Sequence, residues 1–299
     1  MRTWGSAAAA AALLALAACS GTGTDVGATT APASSSSTTA SATGTPSTST
    51  SGPTPGPPTS PHPTTTRPTT QRPTTTRPTT QRPAPTSGLP ASLRGHVVAR
   101  VPTSRRVVAL TFDGGAGSQG AASILATLRA HGVPASFFVT GSFASANPGL
   151  VRQMAAIGPV GNHSWSHPDL TTLGDGAIRQ QLSSTRTAIL RADGVDPRPF
   201  FRFPFGASDA RTLGVVNAEG YAAIGWTTDS LGWKGTSGGM TVDKVVSRVL
   251  AGRTAGQVVL LHVGANPDDG STLDAAALPR VIAGYRQAGF GFTTLDALR

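Results

Sequence analysis

Apolar runs alternate with segments of helical spacing from about residue 96 to the end of the chain. Seven short runs lack a regular polar alternation, which is typical of strands buried on both faces. Apolar residues between these runs recur at helical spacing, as at Ile178, Leu182 and Ile189. This β-α order predicts an α/β domain with about seven parallel strands, either a barrel or a doubly wound sheet. The predicted strands are residues 107–112, 136–140, 159–162, 200–203, 221–227, 258–262 and 290–293.

The start of the sequence has the pattern of a secretory signal. Arg2 precedes an apolar run, and small residues stand immediately before Cys19. The run is too short to span a bilayer comfortably, and its end resembles the lipobox of bacterial lipoproteins. That resemblance implies cleavage after residue 18 and lipidation of Cys19, whereas an ordinary secreted protein with an incidental cysteine is the alternative. Because Cys19 is the only cysteine, no intrachain disulfide can form.

Residues 20–92 consist almost entirely of Ser, Thr, Pro, Gly and Ala, and the sequence TTTRPTTQRP occurs at 64–73 and again at 74–83. Such a composition cannot bury an apolar core, so we expect a disordered, proline-stiffened tether. At about 3 Å per residue it would reach on the order of 200 Å, which suits work inside a cell wall. We therefore expect a signal peptide over 1–18, a lipidated cysteine and tether over 19–95, and a folded domain over 96–299.

The formal net charge of +10 is divided equally between the tether and the domain, since residues 1–95 contain six arginines and one acid. The arginines of the repeat are separated by prolines and do not form an amphipathic or aromatic-studded face. A nucleic-acid partner is therefore not expected. Attraction to anionic wall polymers or to lipid headgroups explains the same charge more simply.

Two histidines, His163 and His167, stand four residues apart just after a short apolar run. Pro168 disfavours helical geometry at His167, so we expect His167 to be extended and the pair to lie in a loop or a first helical turn. Neutral imidazoles at this spacing can hold a Zn²⁺-like ion and leave positions open for water and substrate. A hydrogen-bonded loop with no metal is the alternative, and the pair alone does not decide between them.

Other reactive side chains also follow predicted strands. Asp113 follows the first strand, Arg202 lies in the fourth, Asp229 and Trp233 follow the fifth, and His262 ends the sixth. In β/α barrels the loops at the carboxyl ends of the strands build the active site, so these residues are expected to converge with the histidine pair. This convergence favours the metal site over the hydrogen-bonded loop.

Five motifs occur in the order found in the polysaccharide deacetylases with a NodB homology domain, which form carbohydrate esterase family four. They are TFDGG at 111–115, HSWSH at 163–167, RFPFG at 202–206, DSLGW at 229–233 and LLH at 260–262. The sequence resembles this family from about residue 104 to 299. The resemblance implies a distorted barrel of β/α units and a metal-dependent hydrolysis that removes N-acetyl groups from amino sugars and releases acetate.

The resemblance also implies residue roles. His163 and His167 would bind a divalent metal, with Zn²⁺ expected first and Co²⁺ or a similar ion as alternatives. Asp113 would be the general base and His262 the general acid. Arg202 would orient Asp113 by charge pairing.

Three further residues would contact the substrate. The backbone N–H of Phe205 would stabilise the oxyanion that forms during hydrolysis. Trp233 and Leu260 would enclose the methyl group of the acetyl.

Two positions depart from the family pattern. The family usually has a metal-binding Asp where this chain has Gly114, and often an Asp that pairs with the acid histidine where this chain has Gly232. Three explanations of Gly114 remain open: a metal held by two histidines, waters and a shifted Asp113; a substitute carboxylate from the Asp268-Asp269 loop; or a site that binds glycans without catalysis. Without a carboxylate at position 232, His262 is expected to titrate near its ordinary pKa of about 6.5.

The sequence thus predicts an extracytoplasmic, lipid-anchored N-deacetylase. Its substrate would be an N-acetylated glycan of the cell wall or of an extracellular polysaccharide, with peptidoglycan expected first. The alternative is a non-catalytic glycan-binding wall lipoprotein derived from a deacetylase.

Overall fold

The computed structural model describes residues 88–115 and 117–299. The signal peptide, the lipidation site at Cys19 and most of the expected tether lie outside the described residues, so they stay predictions. Within the described residues, no helix is long and apolar enough to cross a membrane.

The described part contains one curled sheet in which all strand pairs are parallel. The hydrogen-bonded order is β1-β6-β5-β4-β3-β2-β8-β7, with β9 beside β2. The strands are β1 (Val97–Val98), β2 (Val107–Gly114), β3 (Ser136–Val139), β4 (Val160–Asn162), β5 (Phe200–Phe201), β6 (Ala222–Ile224), β7 (Thr228–Asp229), β8 (Gln257–His262) and β9 (Gly291–Thr293).

The predicted fold class, a distorted β/α barrel, is confirmed, and each predicted strand is present. The structure adds two strands, β1 and β7. Each has only two residues, which is too short to produce a periodic pattern in the sequence.

Strand β2 is the centre of the sheet. It pairs with β8 along six residues, from Val108 opposite Gln257 to Asp113 opposite His262. Its other edge is shared, because β9 pairs with the first half of β2 and β3 pairs with the second half. The strand is almost completely buried, which explains its continuous apolar sequence.

Helices connect the strands and cover the outer face of the sheet. Several begin with a side-chain cap; Thr140 accepts the N–H of Phe143, and Asp209 forms a capping box with Thr212. The helices are α1 (Ala121–Ala130), α2 (Gly141–Ala146), α3 (Pro148–Ala155), α4 (Asp175–Asp193), α5 (Ala210–Ala218), α6 (Val242–Ala251) and α7 (Leu273–Gln287).

Alternation along β2 separates two cores. Leu110 and Phe112 belong to the large cluster formed with helices α1, α3, α6 and α7. Ala109 belongs to a smaller cluster on the inner face of the sheet. Because side chains alternate, Asp113 shares the inner face and Gly114 shares the face of Phe112.

The inner core is closed by residues from both ends of the described chain. Leu89, Leu93, Leu295 and Leu298 are buried and pack in the same cluster as the inner-face strand residues. The packed structure therefore includes residues before the expected domain boundary at 96.

We predict that Leu93→Ala lowers the free energy of unfolding by about 2–5 kcal/mol, because it leaves a cavity in the inner core. Val97→Ala is the control; its side chain is 38% exposed, so the loss should be below about 1 kcal/mol. Denaturant unfolding of the two variants measures both values. Equal stability of Leu93→Ala and the wild type would place the start of the folded domain after residue 93.

Candidate active site

The reactive residues singled out in the sequence lie together at the carboxyl ends of the strands. They surround a cavity of about 650 Å³. Arg202 is fully buried beneath the cavity and contacts one of its lining residues. The predicted convergence is therefore confirmed, whereas the chemical roles stay predictions. The predicted residues that line the cavity are Asp113, His163, His167, Phe205, Trp233, Leu260 and His262.

Asp113 and Arg202 form a buried ion pair. Arg202 Nη1 donates to Asp113 Oδ1 over 2.6 Å, and no part of the Arg202 side chain is exposed. The guanidinium also donates to the carbonyls of Ile224 and Gly225 and lies 4.2 Å from the ring centre of Phe138. Burial lowers the pKa of Arg202 and the charge of Asp113 opposes that shift, and a guanidinium remains charged in proteins. The pair thus holds Asp113 in one orientation with Oδ2 left toward the histidines.

His163 is oriented by a backbone carbonyl. Its Nδ1 lies 2.9 Å from the carbonyl oxygen of Arg202, and since a carbonyl only accepts, Nδ1 carries the proton. Burial lowers the pKa of His163 to about 4, although Asp113 acts in the opposite direction. Neutral His163 therefore presents the lone pair of Nε2, which lies 3.4 Å from Asp113 Oδ2.

His167 stands beside His163 in the loop after β4. The two ring centres are 4.8 Å apart and nearly perpendicular, and the ring of Phe205 lies 4.6 Å from that of His167 on the exposed side. Burial also lowers the pKa of His167. Both imidazoles are thus favoured in the neutral form that binds metal ions.

The loop conformation corrects one expectation. His167 is not extended, since its φ is 61°, and Ser164 has a φ of 63°. Side-chain hydrogen bonds to the loop backbone outweigh the preference set by Pro168. Asn162 Oδ1 accepts the N–H of Ser164, and Ser164 Oγ accepts the N–H of His167.

A glutamine from helix α4 holds the loop by accepting two of its backbone N–H groups. Gln181 Oε1 accepts the N–H groups of both Trp165 and Ser166. Sequence reasoning missed Asn162 and Gln181, because a polar residue at a strand end or on a helix is ordinarily solvent-exposed.

Gly114 lies outside the cavity lining. A Cβ at this position would be 3.5 Å from Val139 and 3.6 Å from the ring of Phe143, which are ordinary contact distances. The structure therefore has room for a Cβ at 114.

The substitute ligand suggested from the sequence is not at the site. Asp269 accepts hydrogen bonds from Thr236, Ser237 and Ser271, which lower its pKa and hold it in a surface turn. Neither Asp268 nor Asp269 lines the cavity; among the described carboxylates, Asp113 and Asp229 do.

The expectation for His262 rested on the missing carboxylate at position 232, but a different carboxylate lies beside its ring. Asp274, near the start of α7, is buried, and its Oδ2 lies 3.4 Å from His262 Nδ1. Burial alone would lower the pKa of His262, but the adjacent carboxylate of Asp274 outweighs it, with help from Asp113 and Asp229, and that pKa is raised. No sequence pattern indicated this contact, since an acid in the first turn of a helix usually stabilises the helix dipole.

Trp233 is fixed by its own turn and by the loop after β8. Its Nε1 donates to Asp229 Oδ2, and its carbonyl accepts from Asn266 Nδ2. Trp233 is 47% exposed, and Leu260 is buried beneath the same cavity. The cavity thus has an apolar wall beside His262.

The donors suit a divalent cation held by few protein ligands. Within residues 88–115 and 117–299, no group of three or more His, Cys, Asp or Glu has the spacing of a complete metal site. However, the lone pairs of His163 Nε2 and Asp113 Oδ2 face each other, with His167 beside them. A positive ion would relieve that opposition, so the chemistry of these donors fits a divalent cation, with His163 and His167 as the residues that would hold it.

Several known proteins are similar to this chain in sequence or in fold. A family model described as polysaccharide deacetylase matches residues 100–224. The peptidoglycan-N-acetylglucosamine deacetylase PgdA of Listeria monocytogenes is 36% identical over 211 residues, which cover 70% of this chain and 42% of that protein. A chitooligosaccharide deacetylase of Sinorhizobium fredii is 34% identical over 201 residues, covering 64% of this chain and 92% of that protein.

Two of the similar solved structures are of one protein and a mutant of it. A Bacillus anthracis protein described as a pseudoenzyme of family CE4 has a TM-score of 0.62 at 26% identity and covers 69% of each chain. A mutant of it, described as having restored enzymatic activity, has a TM-score of 0.62 at 27% identity and covers 69% of this chain and 72% of that one.

The chain belongs to the polysaccharide deacetylase family. It spans less than half of the length of the Listeria relatives.

We predict that Arg202→Met lowers the free energy of unfolding by about 3–5 kcal/mol, because it leaves Asp113 buried without its cation. The double variant Arg202→Met/Asp113→Leu should lose less than the two single variants together, since no charge remains unpaired. Denaturant unfolding of all four proteins gives the coupling energy. Additive losses would show that the pair makes no cooperative contribution.

Proposed function

We propose that this protein is a metal-dependent polysaccharide N-deacetylase. The observation that supports it most directly is the register of β2 and β8, which places Asp113 opposite His262 on adjacent strands. Both side chains line one cavity together with the two neutral imidazoles. A base, an acid and residues that would hold a cation around one cavity suit a metal-assisted hydrolysis of an amide.

Asp113 acts as the general base. Arg202 holds Oδ1, so Oδ2 is the oxygen that accepts a proton from the attacking water. The ion pair stabilises the carboxylate in a buried place where an unpaired charge would be costly. A divalent cation, when held by His163 and His167, supplies Lewis acidity toward the acetyl carbonyl; Zn²⁺ is proposed first and Co²⁺ or a similar ion next.

His262 acts as the general acid. A protonated imidazole delivers its proton to the departing nitrogen, because an amide anion is a very poor leaving group. The backbone N–H of Phe205 stabilises the oxyanion, and Trp233 and Leu260 contact the acetyl methyl group. These assignments agree with the cavity lining and are supported by family membership.

We propose peptidoglycan as the substrate. The name of the Listeria relative gives N-acetylglucosamine in peptidoglycan as its substrate, and the name of the Sinorhizobium relative gives chitooligosaccharides. Both substrates are N-acetylated glycans. The lipobox-like sequence before Cys19 and the Thr/Pro-rich tether support an extracytoplasmic, lipid-anchored domain that reaches into the wall. The proposed organisation is a signal over 1–18, a tether over 19–95 and a deacetylase domain from 96 onward.

A second function has a specific observation in its favour. Position 114 is a glycine where the resemblance implies an Asp that binds the metal, and one structural relative is described as a pseudoenzyme. The second candidate is therefore a wall lipoprotein that binds glycans without hydrolysing them. The retained pair of Asp113 and Arg202, with His262 beside it, favours the enzyme.

The proposed activity predicts acetate release from peptidoglycan or chitooligosaccharides by the purified full chain. A chelator should stop the reaction and added Zn²⁺ or Co²⁺ should restore it. Asp113→Asn should lower the rate by about 10²–10⁴-fold, the usual contribution of a general base. The control is His131→Ala, which changes a histidine at the end of α1 and should leave the rate unchanged. Saturable glycan binding without acetate release would instead support the second candidate.

Gly114→Asp should tighten metal binding. The Cβ has room, and because residue 114 is the last of β2, a long side chain there can turn past the strand end toward the cavity, where no carboxylate other than Asp113 and Asp229 lines the described wall. Even indirect partners of metal ligands change affinity by about 10–100-fold, so a direct ligand should give at least about 10-fold. Gly114→Ala adds only the Cβ and is the control. Calorimetric titration with Zn²⁺ measures the change, and unchanged affinity would mean that a carboxylate at 114 does not reach the ion.

A further inference from the structure

We propose that Asp274 is the positioning residue of His262, and that position 232 is a glycine because the Asp274 carboxylate occupies the space of its side chain. This inference rests on the proposed function, which makes His262 the proton donor. It means that the carboxylate absent from the turn after β7 is supplied by helix α7.

One oxygen of Asp274 contacts His262 twice. Oδ2 accepts the backbone N–H of His262 over 2.8 Å and lies 3.4 Å from Nδ1 of its ring. His262 Nδ1 is buried and forms no hydrogen bond within the described residues, so the carboxylate of Asp274 acts on it as an ion-pair partner. The carboxylate thus favours a proton on Nδ1 and leaves Nε2 as the nitrogen that faces the cavity.

The other oxygen of Asp274 faces Gly232. A Cβ on Gly232 would lie 2.5 Å from Cγ and 2.9 Å from Oδ2 of Asp274, and nearest of all to Oδ1. All three nearest atoms belong to Asp274. Gly232 is not among the described glycines with positive φ, so its backbone does not require glycine. The Asp274 carboxylate therefore leaves no space for a Cβ at position 232, and side chains at 232 and 274 would occupy the same volume.

Asp274 is unlike an ordinary acid of a first helical turn. Asp243 has the equivalent place in α6, but its side chain is 80% exposed and paired with Arg280. The Asp274 side chain is 3% exposed, and its ion-pair partner in the described structure is His262. A buried carboxylate is costly without a positive partner, so the geometry favours an imidazolium at His262.

The groups around His262 set the direction of its titration. Asp274, Asp113 and Asp229 raise its pKa against burial, and His167 is the neighbouring group that can carry positive charge. A raised pKa keeps His262 protonated to higher pH, where a general acid must still hold its proton. Removal of the Asp274 charge therefore lowers that pKa and moves the alkaline limb of the activity profile to lower pH.

The first experiment compares Asp274→Asn with Asp243→Asn in the full chain, with a chitooligosaccharide as substrate. Asp274→Asn should lower kcat by on the order of 10-fold or more, with little change in KM, and shift the alkaline limb to lower pH. Asp243→Asn, which also removes an acid from a first helical turn, should leave both unchanged. Equal behaviour of the two variants would overturn the proposal.

The second experiment moves the carboxylate. Gly232→Asp alone should lose activity, because two side chains then compete for one place, and Asp274→Ala alone should also lose it. The double variant Gly232→Asp/Asp274→Ala should recover activity relative to either single variant, whereas Gly232→Asn/Asp274→Ala, which lacks the charge, should not. A double variant no more active than Asp274→Ala would show that a carboxylate at position 232 cannot replace the one at position 274, and this would overturn the proposal.

The third measurement does not depend on catalysis. The NMR signals of the His262 ring, assigned with His262→Gln, report its pKa in the wild type, Asp274→Asn and Asp243→Asn. The pKa should fall only in Asp274→Asn, and an unchanged value there would overturn the proposal. If no protein releases acetate, the proposed function fails, while this titration still tests the contact between Asp274 and His262.

Discussion

The buried ion pair of Asp113 and Arg202 is the interaction on which the rest of the site depends. It joins β2 to the segment after β5, and Arg202 also bonds to carbonyls at the end of β6. Removing two charges from water is costly, and the hydrogen bonds and the ring of Phe138 offset that cost. The result is a carboxylate with one oxygen fixed and the other available to the cavity, beside an imidazole whose proton is placed by the carbonyl of Arg202.

The loops around this pair are held in conformations that the chain alone would avoid. The non-glycine residues with positive φ in the described structure are Ser164, His167, Phe205 and Leu231, and all lie in loops at this end of the sheet. Such conformations cost about 1–3 kcal/mol each and persist only where surrounding bonds fix them. Asn162, Gln181 and Asp229 supply those bonds. A pre-formed cavity follows, with its reactive groups in place before substrate arrives.

The placement of the carboxylates departs from the pattern that the resemblance to the deacetylases implies. Asp113 is retained, position 114 has no carboxylate, and the acid that faces His262 comes from α7. One structural relative is described as a pseudoenzyme and, in a mutant form, as having restored activity, so one scaffold occurs there with and without activity. The scaffold and the chemistry are thus separable, because the strands fix where side chains converge while individual residues decide what they do.

The sequence by itself determined the parallel β/α fold and the set of converging residues, because buried strands leave continuous apolar runs and their carboxyl ends share one face. It also showed the glycines at 114 and 232. Only the tertiary structure decided that Asp274 fills the space beside Gly232, that Asp269 belongs to a surface turn, and that Pro168 does not keep His167 extended. Each depends on a contact between residues distant in sequence or on a loop bond, and no local pattern encodes such contacts.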